Sequence, residues 1–312
     1  MISKRIFLGL VLAPLLSTSV MTHAMAQTKE YTIGVALASD TNPFYIAMRR
    51  GIEARAKELG VKVVFVTANE VIAQQVTGIN DLVARKVDGI LVSPIDAVAV
   101  AAAYQAAGEA RIPVISVARH ANSPHQSAYV SMDEKGVGRD IATWIGKAVG
   151  GSADVAMITG PAGAATFRNI NAGLDEGFKA QPQIKIVYRK DAALTREDGL
   201  KYAEDILVAR PGIKAIYCAN DEVALGAVQA VTAAGKRGQI IVTGMNGIPP
   251  ALQAVKNGSL GLTVELNPVS WGRLGLETMV DWLNGKRASD LVTVRHVLID
   301  ASNVANALPP AK

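Results

Sequence analysis

The chain has 312 residues, half of them apolar, 19% charged and only 5% aromatic, enough for two domains of ordinary size with aliphatic cores. A formal charge of +5 with no Lys/Arg run excludes the electrostatic footprint of a nucleic-acid-binding protein. A lone Cys218 excludes an internal disulfide, and its apolar neighbours Ile216, Tyr217 and Ala219 predict a buried small hydrophobe, not a reactive thiol.

Lys4 and Arg5 precede an apolar run at 6–16, and Ala24-Met25-Ala26 follows it. This is the order of a secretory signal: charged start, apolar middle, small-residue cleavage site, here near Ala26. Eleven apolar residues are too few to span a bilayer, and no Cys follows to carry a lipid. The expected location is therefore the periplasm. Residues 1–26 hold two basic and no acidic side chains, which leaves 30 basic against 27 acidic. The basic precursor thus says little about partners.

Short apolar runs then recur at 32–38, 61–67, 89–92, 114–117, 155–158, 184–187, 215–218, 240–243 and 262–264. Most are continuous, as in strands whose two sheet faces are both covered by helices. Helical periods fill the gaps. Met48, Ile52, Ala56 and Leu59 form one stripe, with Gly60 as a left-handed stop. Ile72, Val76, Ile79 and Leu82 form a second, and Val137, Ile141, Trp144 and Ile145 a third. This alternation predicts parallel α/β structure. Nine or more strands fit two doubly wound lobes better than one, with a seam near 129–134.

Ligands of open parallel sheets bind beyond the carboxyl ends of the strands. The residues there are polar, small or turn-forming: 39–42, 93–96, 118–120, 160–163, 220–222, 245–247 and 265–267. Reactive chemistry is not among them. His120, His125 and His296 lack metal-ligand spacing, and no HExxH, GxSxG or Walker loop occurs. Ser39 to Pro43 stand where a dinucleotide fingerprint needs glycines. Asp221-Glu222 reads as acidic residues favoured in the first turn of a helix at 221–234. The chain is thus expected to need no cofactor or metal and not to be an enzyme. Asn42, Phe44 and Tyr45 instead suit recognition, since aromatic rings stack on flat, mostly apolar faces. Arg119 follows a buried strand and so requires a carboxylate, a ligand oxygen or water. Asn220 offers both donors and acceptors.

The segments IGVALASDTNPFY (33–45), GILVSPID (89–96), IPVISVAR (112–119), ANDEVALGA (219–227) and VTGMNG (242–247) together resemble the ribose-type periplasmic sugar-binding family over nearly all of the exported chain. The resemblance implies two similar lobes of the type I periplasmic binding fold, 27–131 with 267–294 and 132–266 with 295–312. Three hinge crossovers near Met132, Leu266 and Arg295 would join them, and a small ligand would sit between closing lobes. It also implies a monomer that delivers its ligand to the membrane permease of an ABC importer. A chemoreceptor or sensor kinase is the alternative partner, and a repressor is excluded by the export signal. Asn42, Phe44, Tyr45, Arg119 and Asn220 match the family's ligand-contacting positions. Ser93 replaces an Asn there, Ala118 a carboxylate, Ile170 an arginine, Leu194 an aromatic, Asn246 an aspartate and Leu266 a glutamine. Polar capacity is lost throughout, which points to a deoxy sugar, a small polyol or a similarly compact solute. Arg168, with Asn169 and Asn171, is expected to supply replacement contacts.

Overall fold

The computed structural model describes residues 30–287 and 291–307. The expected signal and its cleavage near Ala26 lie outside the described residues. Strands β1 (Thr32–Ala36), β2 (Lys62–Val66), β3 (Gly89–Val92) and β4 (Val114–Val117) alternate with helices α1 (Pro43–Leu59), α2 (Ile72–Ala84) and α3 (Ala101–Glu109). Strand β5 (Gln126–Ser131) follows without a helix. The alternation resumes as α4 (Glu134–Ala148), β6 (Ala153–Thr159), α5 (Ala165–Lys179), β7 (Ile184–Asp191), α6 (Arg196–Ala209) and β8 (Ala215–Cys218). Next come α7 (Asp221–Ala233), β9 (Ile241–Thr243), α8 (Pro249–Lys256) and β10 (Thr263–Glu265). Last are α9 (Pro268–Leu283), β11 (Leu291–Thr293) and β12 (Val297–Ile299).

The strands form two parallel sheets. One has the order β11-β5-β4-β3-β1-β2 and the other β7-β6-β8-β9. Strand β10 sits beside β9 through two isolated bridges and carries β12 antiparallel on its far side. The chain passes between the sheets after β5, after β10 and again between β11 and β12.

Both faces of each sheet are covered, as the continuous apolar runs require. Ile33, Val35, Leu91 and Ile115 pack with Met48, Ile52, Leu276 and Met279 of α1 and α9. Their neighbours Ala36, Ile90, Val92 and Val114 pack on the other face with Ile79, Leu82 and Tyr104 of α2 and α3. Each large aliphatic side chain buried this way contributes about 1.5–3 kcal/mol. In the second sheet Val155 and Met157 meet α4 and α5, while Ala156 and Ile158 meet α6 and α7.

The second helix stripe is rotated from its expected position. Ile72 is 40% exposed, and Gln75 is fully buried in its place. Gln75 is not left unpaired. Its amide donates to the carbonyls of Ala36 and Ser93 at 3.2 and 2.8 Å and accepts from Ile95 N–H at 2.8 Å. It thereby clamps the carboxyl ends of β1 and β3, where a ligand site is expected.

Helices α1 and α9 cross in backbone contact. A Cβ on Gly51 would stand 2.0 Å from the Val269 carbonyl oxygen, and one on Gly272 would stand 2.1 Å from that of Met48. This close approach brings the first turns of both helices, with their aromatic residues, to the same sheet edge. Gly60 closes α1 with φ +66, as its place after the first stripe predicts.

Candidate functional site

A cavity lies where the carboxyl ends of the two sheets meet, the usual place for ligands of open parallel sheets. Beyond β1 and β4 its wall holds Asn42, Phe44, Tyr45, Ala118 and Arg119. Beyond β8 and β9 it holds Ala219, Asn220, Met245 and Asn246. Met132 and Leu266 line it from the segments that pass between the sheets. Six of the eight expected contact residues are thus brought together: Asn42, Phe44, Tyr45, Arg119, Asn220 and Asn246.

The other two are not in the wall. Ser93 is fully buried behind Tyr45, 3.1 Å from its hydroxyl, so it supports the ring. Arg168 is exposed, and its guanidinium donates to the carbonyl of Ala162 in the preceding loop. Helical geometry explains the miss. Thr166 and Ile170, four apart on α5, are both buried, and residue 168 lies on the opposite side. Ile170 itself belongs to the core; Thr166 and Phe167 are the α5 residues that reach the cavity.

Aromatic side chains form one corner. Phe44 meets Tyr45 edge-to-face at 5.2 Å and Trp271 at 5.9 Å. Trp271 is 1% exposed, and its Nε1–H has no partner in the protein. Burial raises the Tyr45 hydroxyl above its usual value, so it stays protonated.

Arg119 is 3% exposed and takes the carboxylate solution to its burial. Nη1 and Nη2 each donate to one oxygen of Glu70 at 3.0 Å, a bidentate pair. A γ-turn aims the side chain. Ala118 has φ +64, and the Arg119 N–H donates to the Val117 carbonyl at 2.8 Å. Leu194 and Asn246, also in the wall, have φ +64 and +128. Left-handed backbone at residues other than glycine costs about 1–2 kcal/mol each and clusters at ligand clamps.

The two asparagines at helix starts serve two masters. Asn42 Oδ1 accepts from Phe44 N–H at 3.0 Å and caps α1. Asn220 Oδ1 accepts from Val223 N–H at 2.9 Å, and its amide donates to the Leu194 carbonyl at 3.1 Å. Each cap fixes the side chain with the remaining donor free to face the cavity.

Buried Glu134 joins the layers behind the wall. Tyr129 Oη and Asn169 Nδ2 donate to it, the latter at 2.6 Å. Thr166 Oγ1 stands 2.8 Å from the same carboxylate and 3.0 Å from the Ala118 carbonyl. A further bond joins the strand ends of the two lobes, where Ala97 N–H beyond β3 donates to the Gly163 carbonyl beyond β6 at 3.1 Å.

Asp221 stands in the first turn of α7, as expected, and is fully buried there, accepting from Thr263 Oγ1 at 2.6 Å and Ile248 N–H at 2.9 Å. Those bonds hold the turn that carries Asn246. Burial nevertheless pushes its carboxyl up to about 7. The folded chain therefore holds this proton more tightly than the unfolded one, whose pKa is near 3.9. The stabilisation is complete below about pH 4 and is lost as pH rises through 7. Melting temperatures across pH 4–8 should decline less steeply in Asp221→Asn than in the unaltered protein. Parallel profiles would contradict this.

A model of the periplasmic binding protein domain matches residues 33–287. The D-allose-binding periplasmic protein of Escherichia coli is 35% identical over 285 residues, 88% of this chain and 89% of that protein. The chain belongs to the ribose-binding family of periplasmic sugar-binding proteins. The ribose import binding protein of Bacillus subtilis is 32% identical over 265 residues, 85% of this chain and 86% of that one. Among solved structures, the Caulobacter myo-inositol binding protein in complex with myo-inositol superimposes with a TM-score of 0.85 at 31% identity, covering 89% of this chain and 95% of the other. The fold is thus the two-lobed type I periplasmic binding architecture, and these relatives are binding proteins.

Four residues are not singled out by sequence reasoning: Glu70, Thr166, Phe167 and Trp271. Glu70 follows β2, so the strand-end argument applied there also reaches it. The aromatic pair Phe167 and Trp271 lies in the first turns of α5 and α9, for which no strand-end signal exists.

Proposed function

We propose that this chain is the periplasmic solute-binding component of an ABC importer, and that Asn42, Phe44, Tyr45, Arg119, Asn220, Asn246 and Trp271 hold its ligand. The observation that carries this reading is a cavity enclosed by strand ends of both sheets and lined by aromatic rings and a few fixed donors. Such a site suits a compact solute with one apolar face and a limited number of hydroxyls. Ala118, Leu194, Ala219, Met245 and Leu266 offer no side-chain hydrogen bond. Each ligand hydroxyl buried against them unpaired would cost about 1–3 kcal/mol. A deoxy sugar or small polyol avoids that cost better than a fully hydroxylated hexose. The allose, ribose and myo-inositol relatives set the size class. The Ala97–Gly163 and Ala118–Thr166 hydrogen bonds already join the two lobes in this structure, the closed arrangement that ligand binding favours.

The orphan indole N–H supports a ligand oxygen beside Trp271. Trp271→Phe keeps the ring and removes the donor, so it should weaken binding by about 1 kcal/mol, roughly fivefold, without lowering the melting temperature of the free protein. Unchanged affinity by calorimetry would place the indole N–H outside the contact set.

Delivery to a permease is tested in the cell. A strain lacking this chain should lose high-affinity uptake of the ligand, and the restored gene should recover it. Normal uptake with a lost chemotactic or transcriptional response would assign the protein to a sensor instead.

A further inference from the structure

Among the described residues, Arg119 is the single charged side chain in the cavity wall. Its charge is already met within the protein. Glu70 is not part of the wall, yet both its carboxylate oxygens accept from the guanidinium.

Placing Glu70 there requires an uncommon backbone. Asn69 and Glu70 take φ +47 and +60, two successive left-handed residues that are not glycine. Three hydrogen bonds impose this turn. Glu70 N–H donates to the Ala38 carbonyl at 2.7 Å, Val71 N–H to that of Ala68 at 2.9 Å, and Asp40 N–H to Asn69 Oδ1 at 2.9 Å. Strain of this kind persists where the surroundings over-determine it, typically at ligand clamps. Helix capping does not account for it. Val71 is the N-cap of α2, and no side chain caps that helix.

The pair leaves the site formally neutral. Two of the five guanidinium N–H groups are committed to Glu70 and the guanidinium also hydrogen-bonds the Tyr45 hydroxyl, which leaves further N–H groups for a ligand hydroxyl or ring oxygen. A ligand carboxylate beside Arg119 would meet a cation already engaged in its bidentate geometry, with a second carboxylate close by. Glu70 keeps 30% of its side-chain surface accessible, so water softens the repulsion between these like charges without removing it.

We propose that Glu70 is a specificity-determining residue, which makes the cavity select uncharged polyhydroxyl solutes and reject their carboxylate counterparts. This inference rests on the solute-binding reading above. Rejection here comes from a repulsive element set behind the wall, not from a missing contact.

The test is calorimetric titration of the full exported chain and of Glu70→Gln with matched pairs: D-ribose and D-ribonate, xylitol and D-xylonate, 2-deoxy-D-ribose and 2-deoxy-D-ribonate. The unaltered protein should bind at least one neutral compound and disfavour its acid on the order of 100-fold or more. Glu70→Gln should narrow that ratio by about tenfold or more, chiefly by gaining affinity for the acid. Glu70→Ala, which needs no amide partner, should do the same, and serves if the glutamine variant does not fold. The ratio in the unaltered protein needs no variant at all. Equal affinity for an acid and its neutral partner would overturn the proposal, as would a ratio unchanged in a folded Glu70 variant. Binding of none of the neutral compounds would instead overturn the solute reading beneath it.

Discussion

Arg119→Ala is expected to weaken ligand binding by about 2–4 kcal/mol, between roughly 30-fold and 1000-fold in Kd. The argument has two parts. Arg119 is the single charged donor in the wall among the described residues, and hydrogen bonds from a charged group are worth about 1.5–3 kcal/mol. Its removal also strands Glu70, whose carboxylate loses both guanidinium bonds. Truncating one partner of a buried pair costs more than the pair contributes, because the other charge is left without compensation. The loss should therefore appear in both affinity and stability. Glu70 is partly exposed, with 30% of its side-chain surface accessible, so water softens the second effect. Calorimetry on Arg119→Ala and on the double variant with Glu70→Gln separates the two. The double variant should recover stability but not affinity. Wild-type affinity in Arg119→Ala would move the site elsewhere.

Phe44→Ala should weaken binding by about 1–3 kcal/mol through lost apolar contact. Phe44 stands between Tyr45 and Trp271, edge-on to both, and is 7% exposed. Removing it leaves the two remaining rings without their shared neighbour and opens the apolar corner of the cavity to water. Part of the loss is thus direct and part is disorder of the rings. Phe44→Leu retains bulk without the ring face and should recover about half of the affinity if packing dominates. An alanine variant that binds as tightly as the parent would show that the aromatic corner covers the start of α1 and nothing more.

The architecture was legible wherever strands are covered on both sides. Runs such as 89–92, 114–117 and 215–218 coincide with β3, β4 and β8 because every residue in them is buried. Strand β5 is hidden in the sequence for the opposite reason. It starts with Gln126, a polar residue that accepts from Ser116 Oγ and from Ala121 N–H and so tolerates its place. Strands β11 and β12 have three residues each, too short for a period to emerge.

The cavity residues after β1, β4, β8 and β9 were reached by one physical rule, that ligands meet strand carboxyl ends. Where the rule gives no purchase, on helix faces, the reading failed. Arg168 was favoured for its donors, but its position on α5 turns it to solvent, and Thr166 and Phe167 take the inward side. The partner required by Arg119 was anticipated as a class, a carboxylate, ligand oxygen or water. Its identity as Glu70 depends on two left-handed residues that no propensity announces. Asp221 takes its expected place in the first turn of α7, but its burial and its hydrogen bonds to Thr263 and Ile248 are not announced by the dipole argument.

The measurement that bears most directly on the central claim is a thermal-shift screen of the exported chain against pentoses, hexoses, deoxy sugars, polyols and small acids, with hits titrated by calorimetry. A ligand present at 100 times its Kd stabilises the folded chain by about 2.7 kcal/mol, an easily read shift. The account predicts a clear shift with a compact neutral polyol or deoxy sugar, reduced to below about 1 kcal/mol of stabilisation in Arg119→Ala. A shift confined to charged acids, or one that persists undiminished in Arg119→Ala, would contradict it.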